Sequence, residues 1–97
     1  MTIDPAKRRR LRTAGQALKA AVDVGKRGLE PTVVKEVAAA LKREPLVKVR
    51  LHQGATAAGR EGEDALAEEL ARAVGAEVVE RRGHTVLIYK GRRGQGE

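Results

Sequence analysis

The stretch from Val22 to Pro31 constrains the fold of this chain more tightly than any other segment. It reads Val-Asp-Val-Gly-Lys-Arg-Gly-Leu-Glu-Pro, which predicts a short strand, a turn bounded by two glycines, and a helix that begins at Pro31. Glycine permits a sharp turn and close approach of a ligand to the backbone, because it has no Cβ atom. The tip residues, Lys26 and Arg27, make the turn cationic. The segment is therefore either a plain structural turn or a loop that binds phosphate beside a helix N-terminus.

The charge distribution favours a polyanionic partner. The chain has 97 residues and a net charge of +7. Residues 1–28 carry eight Lys and Arg against two Asp, whereas residues 53–75 carry two Arg against five acidic residues. Tyr89 is the single aromatic residue, so the chain lacks the rings on which single-stranded bases usually stack. A nucleic acid would be held mainly through its sugar–phosphate backbone, unless the charge serves only solubility.

The spacing of apolar residues predicts the order helix, strand, helix, strand, helix, strand, strand. The first helix would begin with Asp4 as its cap and run to about Leu18 or Lys19, and the second from Pro31 to about Arg43. The third would cover residues 63–74, after a glycine-rich loop over 53–62 and with Gly75 as its C-cap. The strands would cover residues 20–24, 46–52, 76–82 and 84–90. The predicted inward positions are Leu11, Ala14, Leu18, Ala21, Val22, Val24, Val34, Val37, Ala38, Leu41, Val47, Val49, Leu51, Leu66, Ala67, Leu70, Val74, Val79, Val86 and Ile88.

This order predicts an α/β fold with a mixed four-stranded sheet backed by helices. Helical crossovers favour parallel pairing of the earlier strands, and a tight turn at Arg82-Gly83 makes the last two strands an antiparallel hairpin. The order of the strands within the sheet does not follow from the sequence. We expect a single domain over residues 1–90 and a flexible tail over 91–97.

Several function classes find no support in the sequence. Cysteine is absent, and neither His52 nor His84 has a companion at a metal-ligand spacing, so no metal site is expected. No nucleophile–base set or cofactor motif is present, so neither a cofactor nor an enzyme activity is expected. No signal peptide and no membrane-spanning run is present. We expect a monomeric cytoplasmic protein without membrane contact.

Basic side chains recur on one face of the first helix. Arg8, Arg12 and Lys19 lie near one another at helical spacing, and Lys35 lies one turn into the second helix. They form either a solvated helix face or a surface that follows phosphates beside the glycine turn.

Segments along nearly the whole chain resemble the CRM domain, named for chloroplast RNA splicing and ribosome maturation, in its stand-alone bacterial form. The resemblance is carried by Leu11-Arg12, Leu18-Lys19, Val24-Gly25-Lys26-Arg27-Gly28-Leu29, Val33-Val34-Lys35-Glu36-Val37, Ala40-Leu41, Leu46-Val47-Lys48-Val49 and Gly83-His84-Thr85-Val86-Leu87-Ile88-Tyr89-Lys90. It implies a compact α/β sandwich similar to the C-terminal domain of translation initiation factor three. It also implies that the glycine turn contacts RNA and that the protein assists assembly of the large ribosomal subunit.

One residue departs from the family pattern. Glu30 stands where the family more often has Thr or another small polar residue before the proline. Glu is a poor helix cap, and its carboxylate would repel a phosphate at the helix N-terminus. The tip of the turn and the first helix are therefore expected to contribute more than that N-terminus.

The leading hypothesis is a non-enzymatic module that binds structured RNA, with precursor large-subunit ribosomal RNA as its expected partner. Its expected contact residues are Gly25, Lys26, Arg27, Gly28, Arg8, Arg12, Lys19 and Lys35. An alternative is a structural component of a ribosomal particle that docks a basic ribosomal protein through the acidic third helix. Charge alone would also permit DNA binding.

Overall fold

Three helices and four strands make up the computed structural model, which describes residues 3–52 and 59–91. Their order and types confirm the predicted α-β-α-β-α-β-β arrangement. The elements are α1 (Pro5–Gln16), β1 (Ala20–Val24), α2 (Pro31–Arg43), β2 (Leu46–Leu51), α3 (Gly59–Val74), β3 (Glu77–Arg82) and β4 (Thr85–Tyr89).

The four strands form one mixed sheet in the order β1-β2-β4-β3. β1 and β2 are parallel, as expected for two strands joined by α2, and β4 runs antiparallel to both of its neighbours. The β3–β4 hairpin has a two-residue turn, since Arg82 pairs with Thr85. Within that turn Gly83 has a φ of 59° and His84 does not have a positive φ, which fits a type II′ turn. The predicted tight hairpin is confirmed, but its turn residues are Gly83 and His84 and not the predicted Arg82 and Gly83, because Arg82 still pairs within the sheet.

The main core lies between the sheet and the pair α2 and α3. Alternate strand residues point into it, which confirms the predicted inward positions on β1 and β2. Its buried members are Val22, Val24, Val33, Val37, Ala40, Leu41, Val47, Val49, Leu51, Leu66, Ala67, Leu70, Ala71, Val74, Val86 and Ile88. Val34 and Ala38, also predicted to face inward, are partly buried against it.

α1 packs on the opposite face of the sheet, over a smaller cluster of Ile3, Val79 and Leu87. The predicted inward face of this helix was largely wrong. Leu11 is only partly buried, and the other three predicted positions are exposed: Ala14, Leu18 and Ala21, the last of which lies in β1. Gly15 is the buried residue of the helix. Its missing side chain allows Leu87 to lie directly against the helix backbone, and a search for apolar side chains does not detect such a contact.

The ends of the helices follow local rules. The Asp4 carboxylate accepts a hydrogen bond from the Lys7 N–H at 2.9 Å, which confirms Asp4 as the N-cap of α1. α1 ends at Gln16, two or three residues before the expected boundary. Gly75, with a φ of 71°, ends α3 as predicted.

The third helix begins earlier than predicted. The loop expected over residues 53–62 is wrong for 59–62, which belong to α3, and its first six residues lie outside the described ranges. Of the expected tail, only Gly91 is described.

Candidate nucleic-acid interface

The turn between β1 and α2 is closed by its own glycines. The Gly28 N–H donates to the Gly25 carbonyl at 3.0 Å, which places Lys26 and Arg27 at the two central positions. Gly28 is buried and has a φ of 71°, a conformation that costs other residues about 1–2 kcal/mol. The fold therefore favours glycine at position 28.

Gly25 differs from Gly28 because the fold does not require it. Its φ is not positive, and a Cβ atom added there would meet nothing within 4 Å. The absent side chain leaves the backbone at the start of the turn open to solvent. A glycine in such a place suits close approach of a ligand to the main chain.

The two cations at the tip project into solvent. Arg27 has 85% of its side chain exposed, and its Nη1 lies 3.6 Å from Glu30 Oε2. Lys26 is exposed and forms no ion pair with any residue in the described ranges. Within the described part of the chain, the turn thus presents one ammonium group without an ion-pair partner and one guanidinium that lies near a carboxylate.

Glu30 occupies the N-cap position of α2 and makes no side-chain capping hydrogen bond. This agrees with the expectation that Glu caps the helix poorly. Pro31 supplies no N–H at the first helical position, and the Glu30 carboxylate adds negative charge beside the helix start. The tip of the turn is therefore better suited to an anion than the helix N-terminus.

Three chain segments meet at the end of the sheet from which this turn leaves. The His52 N–H donates to the Val24 carbonyl at 2.7 Å, and the Leu51 N–H donates to the His84 carbonyl at 2.6 Å. The ends of β1 and β2 and the β3–β4 turn are consequently fixed relative to one another. The cationic turn therefore leaves from strand ends that are hydrogen-bonded to one another.

The buried Glu63 carboxylate binds the β3–β4 turn at this end of the sheet. Glu63 Oε2 lies 2.8 Å from His84 Nδ1, and Glu63 Oε1 lies 3.2 Å from Arg81 Nη1. Arg81 also pairs with Asp64 through Nε and donates to the Gly83 carbonyl at 2.6 Å. The cluster ties α3 to the hairpin through charge-assisted hydrogen bonds.

Sequence reasoning missed this cluster. The sequence predicts an acidic third helix and gives His84 no companion at a metal-ligand spacing. A signal was present, because Glu63 precedes Leu66, Ala67 and Leu70 at helical spacing and therefore lies on the inward face of α3. A carboxylate on an apolar stripe needs a partner, and that partner had to come from the sheet.

The predicted basic residues are not all near the glycine turn. Arg8 Nη1 donates to the Val78 and Val79 carbonyls of β3, at 3.1 and 2.6 Å, and Arg12 lies 3.8 Å from Glu80. β3 and β1 are the two opposite edge strands of the sheet, separated by β2 and β4, so these two cations lie far from the strand that carries the turn.

Lys19 and Lys35 are placed differently. Both are exposed, Lys19 immediately before β1 and Lys35 in the second turn of α2. Neither forms an ion pair within the part of the chain that the structure describes. The single aromatic ring, Tyr89, lies beneath the Lys7 ammonium at 4.7 Å from its centroid and belongs to the cluster under α1.

Residues 3–52 and 59–91 contain neither a candidate metal site nor a candidate membrane-spanning helix. No group of three or more His, Asp or Glu side chains in these ranges could hold a metal ion. None of the helices there combines the length and apolar character needed to cross a bilayer.

Comparison with known proteins places this geometry in a family. The family model described as the CRS1/YhbY (CRM) domain matches residues 3–90. A Methanocaldococcus jannaschii protein named "Probable RNA-binding protein MJ0652" is 39% identical over 87 residues. That match covers 90% of this chain and 63% of the relative, so the chain spans under two thirds of the relative's length.

A solved structure shares the fold. The solution structure of the hypothetical protein SAV1595 from Staphylococcus aureus superimposes with a TM-score of 0.81. The superposition covers 97% of this chain and 95% of the other at 23% sequence identity. It shows that the arrangement of helices and sheet is common to both proteins.

Proposed function

We propose an RNA-binding function for this chain, which belongs to the CRS1/YhbY (CRM) domain family. The observation that carries the proposal is the turn between β1 and α2, which presents Lys26 and Arg27 to solvent. The turn leaves from strand ends that are hydrogen-bonded to one another. Gly25 leaves the backbone beside them accessible, although the fold does not need a glycine there. The name of the Methanocaldococcus jannaschii relative gives independent support.

The contacts would be made mainly with phosphates. Lys26 and Arg27 would pair with phosphate oxygens, and the backbone at Gly25 and Gly28 would allow close approach of the strand. Base stacking would contribute little, because the only aromatic ring of the chain packs under α1. Recognition would therefore depend on the shape of a folded RNA more than on its sequence.

The surrounding cations would have unequal roles. Lys19 and Lys35 are exposed and would extend the footprint from the turn. Arg8 and Arg12 already contact β3 and would add mainly to the long-range potential. Structured ribosomal RNA of the large-subunit precursor is the target that the family resemblance implies, with a role in subunit assembly in the cytoplasm and no chemical step.

The test is RNA binding across a salt series, with the double variant Lys26→Ala/Arg27→Ala. Two lost phosphate contacts should lower the slope of log affinity against log salt by roughly 1.5, at about 0.7–0.9 per contact. Lys42→Ala/Arg43→Ala is the matched control, since it removes two exposed cations from the other end of α2. Unchanged affinity and slope in the first variant would remove the turn from the mechanism. Competition by duplex DNA at equal salt would separate RNA binding from general nucleic-acid binding.

The outer face of α3 favours a second candidate function. Glu61, Glu68 and Glu69 are exposed and form no ion pairs with residues in the described ranges. They could dock a basic ribosomal protein while the opposite side of the sheet faces RNA. Glu68→Lys/Glu69→Lys should then abolish association with the particle and leave the affinity for free RNA unchanged or higher.

A further inference from the structure

The sheet face that carries α1 is only partly covered, because the helix ends at Gln16. Beyond its C-terminal end lie two adjoining cavities of about 330 and 420 Å³. Both are lined by Lys48 and Thr85, so they form one trough that crosses the sheet from β1 to β3. The trough floor is strand surface, and the last two residues of α1, Gly15 and Gln16, border it on the β3 side.

The strand register places the charged side chains of this trough in a row. Asp23 pairs with Arg50, Arg50 with Thr85, and Thr85 with Arg82. Because paired residues project to the same side of a sheet, these four side chains share one face. Lys48 lies in the next row, and Lys19 borders the trough at its β1 end.

The trough is electropositive. Its four cations, Lys19, Lys48, Arg50 and Arg82, form no ion pairs in the part of the chain that the structure describes. Its two carboxylates leave a net charge of +2, and Glu80 is further offset by Arg12 at 3.8 Å. The exposed carboxylates of α3 lie on the other side of the sheet, so the protein presents its positive side here.

The β1 end of the trough lies close to the glycine turn. Asp23 lies on its floor, and the turn begins only two residues later at Gly25. Leu18, the one large hydrophobic side chain exposed in the described ranges, lines the same end with 37% of its surface accessible. An apolar contact beside cations suits the alternating sugar and phosphate groups of a nucleic-acid strand.

We infer that this trough is a second RNA contact, which holds the sugar–phosphate backbone of the strand that the glycine turn grips. The inference rests on the proposed RNA-binding function and extends it across the sheet. The turn alone offers two cations, whereas the turn and the trough together offer six. Arg50 and Arg82 are the residues that define it, since both are exposed and belong to neither the core nor the turn.

The test compares three double variants by fluorescence anisotropy with a labelled RNA hairpin that carries a single-stranded tail. They are Arg50→Ala/Arg82→Ala in the trough, Lys26→Ala/Arg27→Ala in the turn, and Lys42→Ala/Arg43→Ala on α2 as the charge-matched control. The trough variant should lose at least about fivefold in affinity and lower the salt slope by roughly 1.5. The control should lose much less.

The outcomes separate this inference from the proposed role of the turn. Loss in the turn variant with none in the trough variant overturns the trough and leaves the turn in place. Equal loss in the trough variant and the control reduces the effect to net charge and also overturns it. Loss of RNA affinity in the trough variant alone supports RNA contact at the trough and removes the turn from the binding mechanism. As a check that misfolding cannot imitate, Asp23→Asn should raise the affinity, and unchanged or weaker binding would contradict the inference.

Discussion

Arg27 Nη1 lies 3.6 Å from Glu30 Oε2, so the cationic turn carries a counter-charge of its own. The Arg27 side chain is 85% exposed and the Glu30 side chain is 41% exposed, so water reaches both partners of the pair. Such a pair contributes little to stability but competes directly with a phosphate for the guanidinium. Glu30 therefore lowers the availability of the Arg27 guanidinium to an incoming anion.

Replacing Glu30 by Gln should increase RNA affinity. The gain should be roughly twofold to fivefold, because an exposed ion pair is worth up to about 1 kcal/mol. Glu36→Gln is the control, since Glu36 is an exposed carboxylate farther along α2. Titration of both variants with the same RNA measures the effect, and an equal gain in both would show that only net charge matters.

The two glycines of the turn should respond differently to alanine. Gly28→Ala forces a positive φ on a residue with a Cβ and should lower the free energy of unfolding by about 1–2 kcal/mol. Gly25→Ala meets no neighbouring atom and should leave stability unchanged or raise it by up to about 1 kcal/mol. Urea denaturation measures both changes. RNA binding should nevertheless weaken in Gly25→Ala, and full affinity in that variant would refute close approach at this backbone.

Removing the buried carboxylate of α3 should destabilise the protein. Glu63→Ala deprives Arg81 and His84 of their shared partner and should lower the free energy of unfolding by about 2–3 kcal/mol. Glu68→Ala, on the exposed face of the same helix, should change it by less than about 0.5 kcal/mol. Thermal and urea unfolding of both variants make the comparison. Similar stability losses would mean that the cluster does not hold the hairpin.

The packing of α1 should depend on Gly15. A Cβ atom at this position would overlap the Leu87 side chain, which is 4% exposed. Overpacking costs about 1–3 kcal/mol, more than the gain of about 1 kcal/mol that alanine brings to a helix interior. Gly15→Ala should therefore lower stability. Adding Leu87→Val should recover part of the loss in a double-mutant cycle, and strictly additive effects would disprove the contact.

Much of the fold followed from local patterns. Apolar spacing gave the type and order of all seven elements, because burial of one helix stripe or one strand face fixes the period of the sequence. Cap residues such as Asp4 and Gly75 marked helix ends, since their chemistry is local. The helical crossover through α2 also predicted parallel pairing of β1 and β2.

The candidate site was only partly predictable. The cationic turn could be found because its glycines, cations and helix-starting proline are adjacent in sequence. The cluster around Glu63 could not be assembled in this way, because its members come from α3 and the β3–β4 hairpin. The contact of α1 through Gly15 was missed because an absent side chain leaves no apolar signal.

The sequence by itself determined which segments become helices and strands and where the chain presents a positively charged turn, since both depend on neighbours along the chain. Only the tertiary structure decided the strand order β1-β2-β4-β3 and the face on which α1 lies. Those choices direct Arg8 and Arg12 to β3 and align Arg50 with Arg82 across the open part of the sheet. The physical reason is that strand pairing and helix docking depend on how distant surfaces fit together, and no local pattern of residues records that fit.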